Sequence, residues 1–521
     1  NLIAYGLVPC SLVRPDHANA RLAAGPSVPR AAGRARRSYV VWRLTCPGPP
    51  CGAKGTEAAL SSDGMSGCFE IPGPTSPLAV GQKQRYLCVP TFQIDAGDVL
   101  HNVPVAFQTW GTLNPDKDNA ILACHPISGN ANVEEWWTPL FGPGHVLDTS
   151  KYFIVCCNAI GSPYGTLSPL TRKGGEDVSG GTWKCSPHVH APDEQTEQLW
   201  WGPDLPKTTI RDDVRLQKHV LDFLGVEQLA CVMGGSMGGA TSLEWPLCFP
   251  VRFPSSPDAL VTMAPEQKPY VRSIVVLAAS ARHSAWCIAW CEIQRQAIEA
   301  DTRYQHGRYL LRDPPSGGLA AARMCALMTY RQPHSFERRF SRLRGKSNMT
   351  SAPNDSQAST LMEEGGEGDI EEDVAKIREP QAQEQYAVQS YLHHHGAKFL
   401  TRFDALCYIH LSDKLDSHDV TRDRASWSQD TSSESATLNG VLRHLGKAPN
   451  SPRMLVLSVT SDMLYTSAEQ KAIHDAVPAS ELVHIESSEG HDGFLIEYPQ
   501  IDRAIREFME RLNVSHNSSA L

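Results

Sequence analysis

The chain has 521 residues, a formal net charge of −9, 41% apolar residues and 20% charged residues, the usage of an ordinary globular chain. The acidic balance, with no basic stripe interleaved with aromatics, argues against a nucleic-acid partner. No run of about 18 apolar residues occurs, so no membrane span is expected.

Taken in chain order, residues 1–85 stand apart. They are rich in Pro, Gly, Ala and Arg, with little periodicity, and read as a disordered or non-native leader. The basic, acid-poor run Ala31-Ala-Gly-Arg-Ala-Arg-Arg37 faintly resembles a transit peptide. The default location is therefore the cytoplasm, with an organelle left open. Residues 86–283 carry strand patterns. Val103-Pro-Val-Ala-Phe-Gln-Thr-Trp110, Ala120-Ile-Leu-Ala-Cys124, Tyr152-Phe-Ile-Val-Cys-Cys157 and Gln228-Leu-Ala-Cys-Val-Met233 are short apolar runs closed by turn residues, as buried parallel strands are. Helical spacing lies between them, over Val214 to Leu224. Two stretches of irregular composition interrupt this part, near 172–201 and 249–268, and read either as tolerated surface loops or as inserts that compromise folding or reshape the site entrance.

Residues 284–450 read as a helical cap. Within it, 344–383 is polar and acidic and is expected to be a disordered loop. His393-His-His395 follows it and reads as a solvated helix end, because consecutive residues do not share a helix face. Residues 451–521 return to strand pattern at Arg453-Met-Leu-Val-Leu-Ser-Val459 and Leu482-Val-His-Ile485, then close with a helix over about Ile501 to Leu512. Strands alternating with helices predict a mostly parallel, doubly wound sheet. The 15 cysteines are odd in number and include no Cys-x-x-Cys pair. They read as reduced core thiols, and no metal site is expected.

The chemistry concentrates at Val232-Met-Gly-Gly-Ser236-Met-Gly-Gly-Ala240. Gly234-x-Ser236-x-Gly238 directly after a strand and before a helix is the pattern of a nucleophile elbow, the serine-bearing turn of the α/β-hydrolase fold. The turn lifts the serine hydroxyl above the sheet edge and sets the N–H of Met237 at a helix start, where it can bind an oxyanion. A serine nucleophile needs a base, and the base needs an orienting carboxylate. In this fold the order is serine, acid, histidine. Asp462 follows the strand ending at Val459, and His491 follows the next strand, 29 residues later. Both fall where a doubly wound sheet builds its site. The second oxyanion donor is expected from the loop His125-Pro-Ile127-Ser-Gly129. Pro126 has no N–H, so the donor is Ile127.

A longer set of motifs resembles the homoserine O-acetyltransferase family in its fungal form. The set includes Trp136-Trp137, Phe141-Gly-Pro-Gly144, Asn158-Ala-Ile-Gly-Ser-Pro-Tyr-Gly165, Thr208-Thr-Ile-Arg-Asp-Asp-Val214 and Leu243-Glu-Trp245. It continues through Ala281-Arg-His-Ser-Ala-Trp286, Gly318-Leu-Ala-Ala-Ala-Arg323, Leu327-Met-Thr-Tyr330, Arg402-Phe-Asp404 and Gly490-His-Asp492, covering roughly residues 90 to 512. The resemblance implies acetyl transfer from acetyl-CoA, a co-substrate, to the hydroxyl of L-homoserine in methionine biosynthesis, by a ping-pong route with no bound cofactor. By family position it implies that Arg323 holds the acceptor carboxylate, that Asp492 holds its ammonium and that Tyr330 lines the pocket. Relatives also suggest a homodimer. The same scaffold serves related enzymes that acetylate L-serine or deacetylcephalosporin C, and simple ester hydrolysis needs only the triad. The Ala281–Cys287 stretch favours homoserine. Besides the inserts, Pro126 stands where alanine is common and Ala240 where methionine is common.

Overall fold

The computed structural model describes residues 67–71, 76–173, 200–250, 268–344, 386–448 and 450–519, all within the unit Asp63–Leu521. The expected acidic loop, most of both inserts and residues 1–66 of the expected leader lie outside the described residues.

The described strands form one nine-stranded sheet. They are β1 (Phe69–Ile71), β2 (Arg85–Gln93), β3 (Val99–Trp110), β4 (Ala120–Cys124), β5 (Phe153–Cys157), β6 (Leu229–Gly235), β7 (Ser273–Leu277), β8 (Arg453–Val459) and β9 (Glu481–Ile485), in the spatial order 1-2-3-5-4-6-7-8-9. β1, β2 and β3 pair antiparallel, β3 joins β5 antiparallel, and every contact from β5 to β9 is parallel. The fold is an α/β-hydrolase fold, as the alternation of strands and helices predicted. One boundary moves. Phe69–Ile71 pairs with Tyr86–Cys88, and Ser76 Oγ donates to Pro163 O at 2.5 Å, so ordered chain begins well before residue 85. A single three-residue strand beside a Pro- and Gly-rich stretch leaves too little periodicity to be seen in sequence.

The central strands are buried on both faces, which explains their unbroken apolar runs. In β4, Leu122 and Cys124 pack into one core, while Ile121 and Ala123 pack into another on the opposite face. Each such fully buried aliphatic side chain contributes about 1.5–3 kcal/mol. The helix α1 (Ile210–Phe223) starts at a capping box: Thr209 N–H donates to Asp212 Oδ2 at 2.8 Å, and Asp212 N–H donates to Thr209 Oγ1 at 3.3 Å. α2 (Met237–Cys248) leaves the elbow and is buried along nearly its whole length.

Between β7 and β8 the described elements are helices: α3 (Ala285–Glu299), α4 (Ser316–Tyr330), α5 (Pro333–Phe340), α6 (Ala387–Leu400), α7 (Ala405–Asp416) and α8 (Glu434–Arg443). α9 (Ser467–Ala476) joins β8 to β9, and α10 (Tyr498–Ser519) follows β9. A buried ion pair ties cap to core. Lys414 Nζ on α7 lies 2.8 and 2.7 Å from the two oxygens of Asp213 on α1 and donates to Ile160 O at 2.7 Å. Breaking such a pair from one side costs about 3–5 kcal/mol, because it strands a buried charge. The cap is thereby held over the strand ends where the reactive side chains gather.

Candidate active site

Ser236 caps α2 with φ 60° and ψ −124°, a conformation rarely adopted by a residue with a side chain. Neighbouring glycines make this turn feasible. A Cβ on Gly238 would lie 2.0 Å from Cys124 O, and one on Gly234 would lie 2.6 Å from the same atom, so β4 passes too close for any side chain. Ser236 N–H donates to Leu277 O at 3.0 Å, which locks the turn onto β7.

Asp462 and His491 meet at the end of the sheet. His491 Nδ1 is 2.7 Å from Asp462 Oδ2. A carboxylate only accepts, so Nδ1 carries the proton and Nε2 is left as the basic nitrogen. The Asp462 carboxylate is itself held: Oδ1 accepts from Leu464 N (2.9 Å) and Tyr465 N (3.0 Å), and Oδ2 from Gln470 Nε2 (3.3 Å). The rings of Phe494 and Tyr465 flank the imidazole at 5.1 and 5.4 Å. Ser236 and His491 line the same cavity, of about 640 Å³ counted to its open mouth. Among the described residues the Ser236 hydroxyl has no hydrogen-bond partner, so the serine–histidine contact is looser than the histidine–aspartate one. Catalytic contacts of this kind tighten when substrate closes the site.

Two backbone amides are available beside Ser236. Met237 N–H opens α2, where the first turn has no intrahelical acceptor. Ile127, in the loop after β4, lines the cavity. Neither N–H donates to any group among the described residues. His125 braces that loop: its Nε2 accepts from Ala159 N at 2.9 Å, and its Nδ1 therefore donates to Pro126 O at 2.8 Å. Burial pushes the His125 pKa down to about 4, so the ring is neutral.

Arg323 and Tyr330 sit two turns apart on α4, both facing the cavity. Arg323 is 7% exposed, and its guanidinium stacks 4.9 Å over Phe399 and 5.7 Å over Tyr330. No carboxylate pairs with it among the described residues, which is not how an interhelical salt bridge would look. Burial raises the Tyr330 phenol above its ordinary pKa. Asp492 also lines the cavity, but its Oδ2 lies 2.7 Å from Arg331 Nε.

Four further residues here were given no site role by the sequence, although Tyr391 falls in the family-like stretch Gln389-Ser-Tyr-Leu392. Arg331 and Glu489 form a buried pair at 2.7 Å beside His491. Tyr391 and His395, on α6, form another wall of the cavity. The expectation that His393-His-His395 is a solvated helix end is corrected for its last member. His393 and His394 are exposed, but His395 is 5% exposed, on the inward face of α6 with Tyr391 one turn before it. The helix phase that brings His395 inward is set by Tyr391 and Phe399, four residues to either side.

Among the described residues one group has metal-ligand spacing, His283, Cys291 and Asp416, with donor atoms within 4.8 Å of one another. Arg295 Nη2 already lies 2.6 Å from Asp416 Oδ2, and burial pushes the Cys291 thiol far up, so these residues suit an ion-pair cluster better than a cation. Among the described cysteines, Cys88, Cys124, Cys156, Cys157, Cys231, Cys287 and Cys407 are buried. No described helix is long and apolar enough to cross a membrane.

A family described as alpha/beta hydrolase fold matches residues 119–498. The chain is 41% identical over 444 residues to homoserine O-acetyltransferase FUB5 of Gibberella fujikuroi, covering 84% of this chain and 91% of that one. The chain belongs to the homoserine O-acetyltransferase family. A homoserine O-acetyltransferase of Emericella nidulans is 39% identical, with 84% of this chain and 89% of the relative covered. Among solved structures, esterase E22 aligns with a TM-score of 0.59 at 20% identity, over 82% of this chain and 99% of its own. That likeness concerns the fold alone. Membership of the homoserine O-acetyltransferase family therefore rests on sequence.

Proposed function

We propose that this enzyme moves an acetyl group from acetyl-CoA to the side-chain hydroxyl of L-homoserine, through an acetyl-Ser236 intermediate. The observation that carries this reading is Arg323: a buried guanidinium, without a carboxylate partner among the described residues, in the cavity that holds Ser236 and His491. Hydrolysis of a neutral acetyl ester leaves it unused, since water carries no charge. A carboxylate-bearing acceptor answers it with paired hydrogen bonds.

In the first half-reaction Ser236 Oγ attacks the thioester carbonyl as His491 Nε2 takes its proton. The carbon–oxygen bond forms, the carbon–sulfur bond breaks, and the proton passes from His491 to the departing CoA sulfur. In the second, the acceptor hydroxyl gives its proton to His491 and attacks the acetyl-serine. The new ester leaves and Ser236 recovers its proton. The Met237 and Ile127 amides stabilise the oxyanion of both tetrahedral intermediates; one such donor is worth roughly 3–4 kcal/mol. Asp462 keeps His491 in the productive tautomer and offsets the imidazolium charge. Asp492 receives the acceptor ammonium, and Tyr330 shapes the pocket between the two charges.

The test is thiol release from acetyl-CoA by purified protein with L-homoserine, with L-serine and with no acceptor. Homoserine-dependent release that disappears in Ser236→Ala supports the reading. Preference for serine would keep the chemistry and change the acceptor, and equal release without acceptor would make the protein a hydrolase.

A further inference from the structure

We propose that Arg331 is a positioning residue that sets the orientation of Asp492 and so makes the cavity select acceptors that carry an ammonium group. This rests on the acetyl-transfer reading above. Arg331 is the residue immediately after α4, the helix that presents Arg323 and Tyr330. It is 6% exposed, and its guanidinium reaches both acids that flank the base: Nη1 donates to Glu489 Oε2 at 2.7 Å, and Nε lies 2.7 Å from Asp492 Oδ2. The second contact is an ion pair without hydrogen-bond alignment. Asp492 Oδ1 has no partner among the described residues, and Asp492 lines the cavity. One oxygen is held and the other remains available to a ligand.

Glu489 does not depend on Arg331 for its charge balance. Ser335 Oγ donates to it at 2.8 Å, and Arg338 pairs with its other oxygen. Among the described residues Asp492 has Arg331 alone. Without it, two carboxylates on one short turn repel each other, and Asp492, the more exposed of the two, is free to turn toward solvent. The backbone holds the two parts in register independently. Gly490 has φ +71°, and a Cβ there would sit 2.7 Å from Tyr330 O and 3.0 Å from Arg331 C. Gln332 Nε2 donates to Ser461 O at 2.9 Å, and Gly490 N–H donates to Ser461 Oγ at 2.9 Å. These contacts secure the loops of Asp462 and His491 without the Arg331 side chain. Its guanidinium is therefore assigned to Asp492 rather than to the base, and its loss should affect acceptor recognition and spare enzyme acetylation.

The experiment compares wild type, Arg331→Gln and Arg331→Lys in two measurements. The first is the pre-steady-state burst of CoA from acetyl-CoA alone, which reads acetylation of the enzyme. The second is steady-state transfer to L-homoserine and to 4-hydroxybutanoate, which lacks the ammonium. Arg331→Gln should keep the burst rate within about threefold, raise KM for L-homoserine about ten- to a hundredfold and leave 4-hydroxybutanoate nearly unchanged. Arg331→Lys keeps the charge and should recover part of the loss; it carries the same comparison if the glutamine variant does not fold. Equal slowing of burst and transfer would reduce Arg331 to a support for the histidine loop and overturn the proposal. So would an unchanged or lower KM for L-homoserine, which would mean that Arg331 merely competes with the ammonium. A wild-type enzyme that bursts but transfers to neither acceptor would overturn the acetyl-transfer reading instead, and this role with it.

Discussion

The guanidinium of Arg323 lies 4.9 Å over the ring of Phe399 in the cavity of Ser236, with no carboxylate beside it among the described residues. A buried charge left in this state costs stability, and on the proposed reading it is kept for the acceptor carboxylate. Arg323→Gln should raise the acceptor KM about ten- to a hundredfold and leave acetylation of the enzyme intact. Its melting temperature should stay level or rise, because an unpaired buried charge is removed. Acceptor kinetics and a thermal melt on the same preparation check both halves of this expectation.

The 2.7 Å contact between His491 Nδ1 and Asp462 Oδ2 fixes the tautomer of the base. Asp462→Asn can donate where Asp462 accepts, which makes Nδ1 the acceptor and puts the imidazole proton on Nε2, the nitrogen that should take the Ser236 proton. The variant should fold and lose roughly 10³–10⁴ in kcat, the size of loss seen when a triad acid becomes an amide. Steady-state kinetics at saturating substrate, beside a circular dichroism spectrum, measures it. A loss under tenfold would remove Asp462 from the triad.

Acid should destabilise the protein earlier than carboxylate titration alone would. Burial pushes His125 and His418 down to about 4 and His410 down to about 3, from an ordinary value of 6.5. Their folded pKa values lie below the unfolded one, so the unfolded chain takes up protons first. The stability is fully present above about pH 6.5 and is lost as pH falls toward 4, at about 1.4 kcal/mol per histidine per pH unit. Melting temperatures between pH 7.5 and 4.5 should fall steadily, and His418→Gln should flatten the slope. A flat wild-type profile would contradict the burial of these rings.

The meeting of Ser236, Asp462 and His491 at one end of the sheet was legible in the sequence because each follows an apolar strand, and strand ends can be read locally. The fold was legible for the same reason. The roles of Arg331, Glu489 and His395 were not, while Tyr391 was visible only as part of the stretch Gln389-Ser-Tyr-Leu392. Arg331 meets Glu489 across 158 residues of chain, and Arg331 and His395 reach the cavity from separate helices of the cap; no spacing rule encodes such meetings. His395 shows the limit well: three consecutive histidines look solvated, and only the packing of Tyr391 and Phe399 sets which one faces inward.

The two interruptions of the family pattern leave the core at paired points. Arg172 bridges Trp200, and Trp201 N–H donates to Thr171 O at 2.9 Å. Tyr270 N–H donates to Pro250 O at 3.2 Å across the second. Because the chain ends meet at both places, replacing residues 174–199 with a short Gly-Ser linker should change the melting temperature by only a few degrees and keep activity. Loop length enters closure entropy weakly, at about 0.6 kcal/mol per doubling. Loss of folding in the shortened protein would assign that segment a structural role.

The central claim is that acetyl passes through Ser236. The most direct test is the mass of the intact protein, quenched in acid shortly after mixing with acetyl-CoA in the absence of acceptor, with the modified peptide then sequenced. The account predicts one added acetyl group on Ser236, absent from Ser236→Ala and removed on adding L-homoserine, with acetyl-homoserine appearing in equal amount. Transfer to L-homoserine by a protein that never carries acetyl on Ser236, or that works equally well as Ser236→Ala, would contradict it.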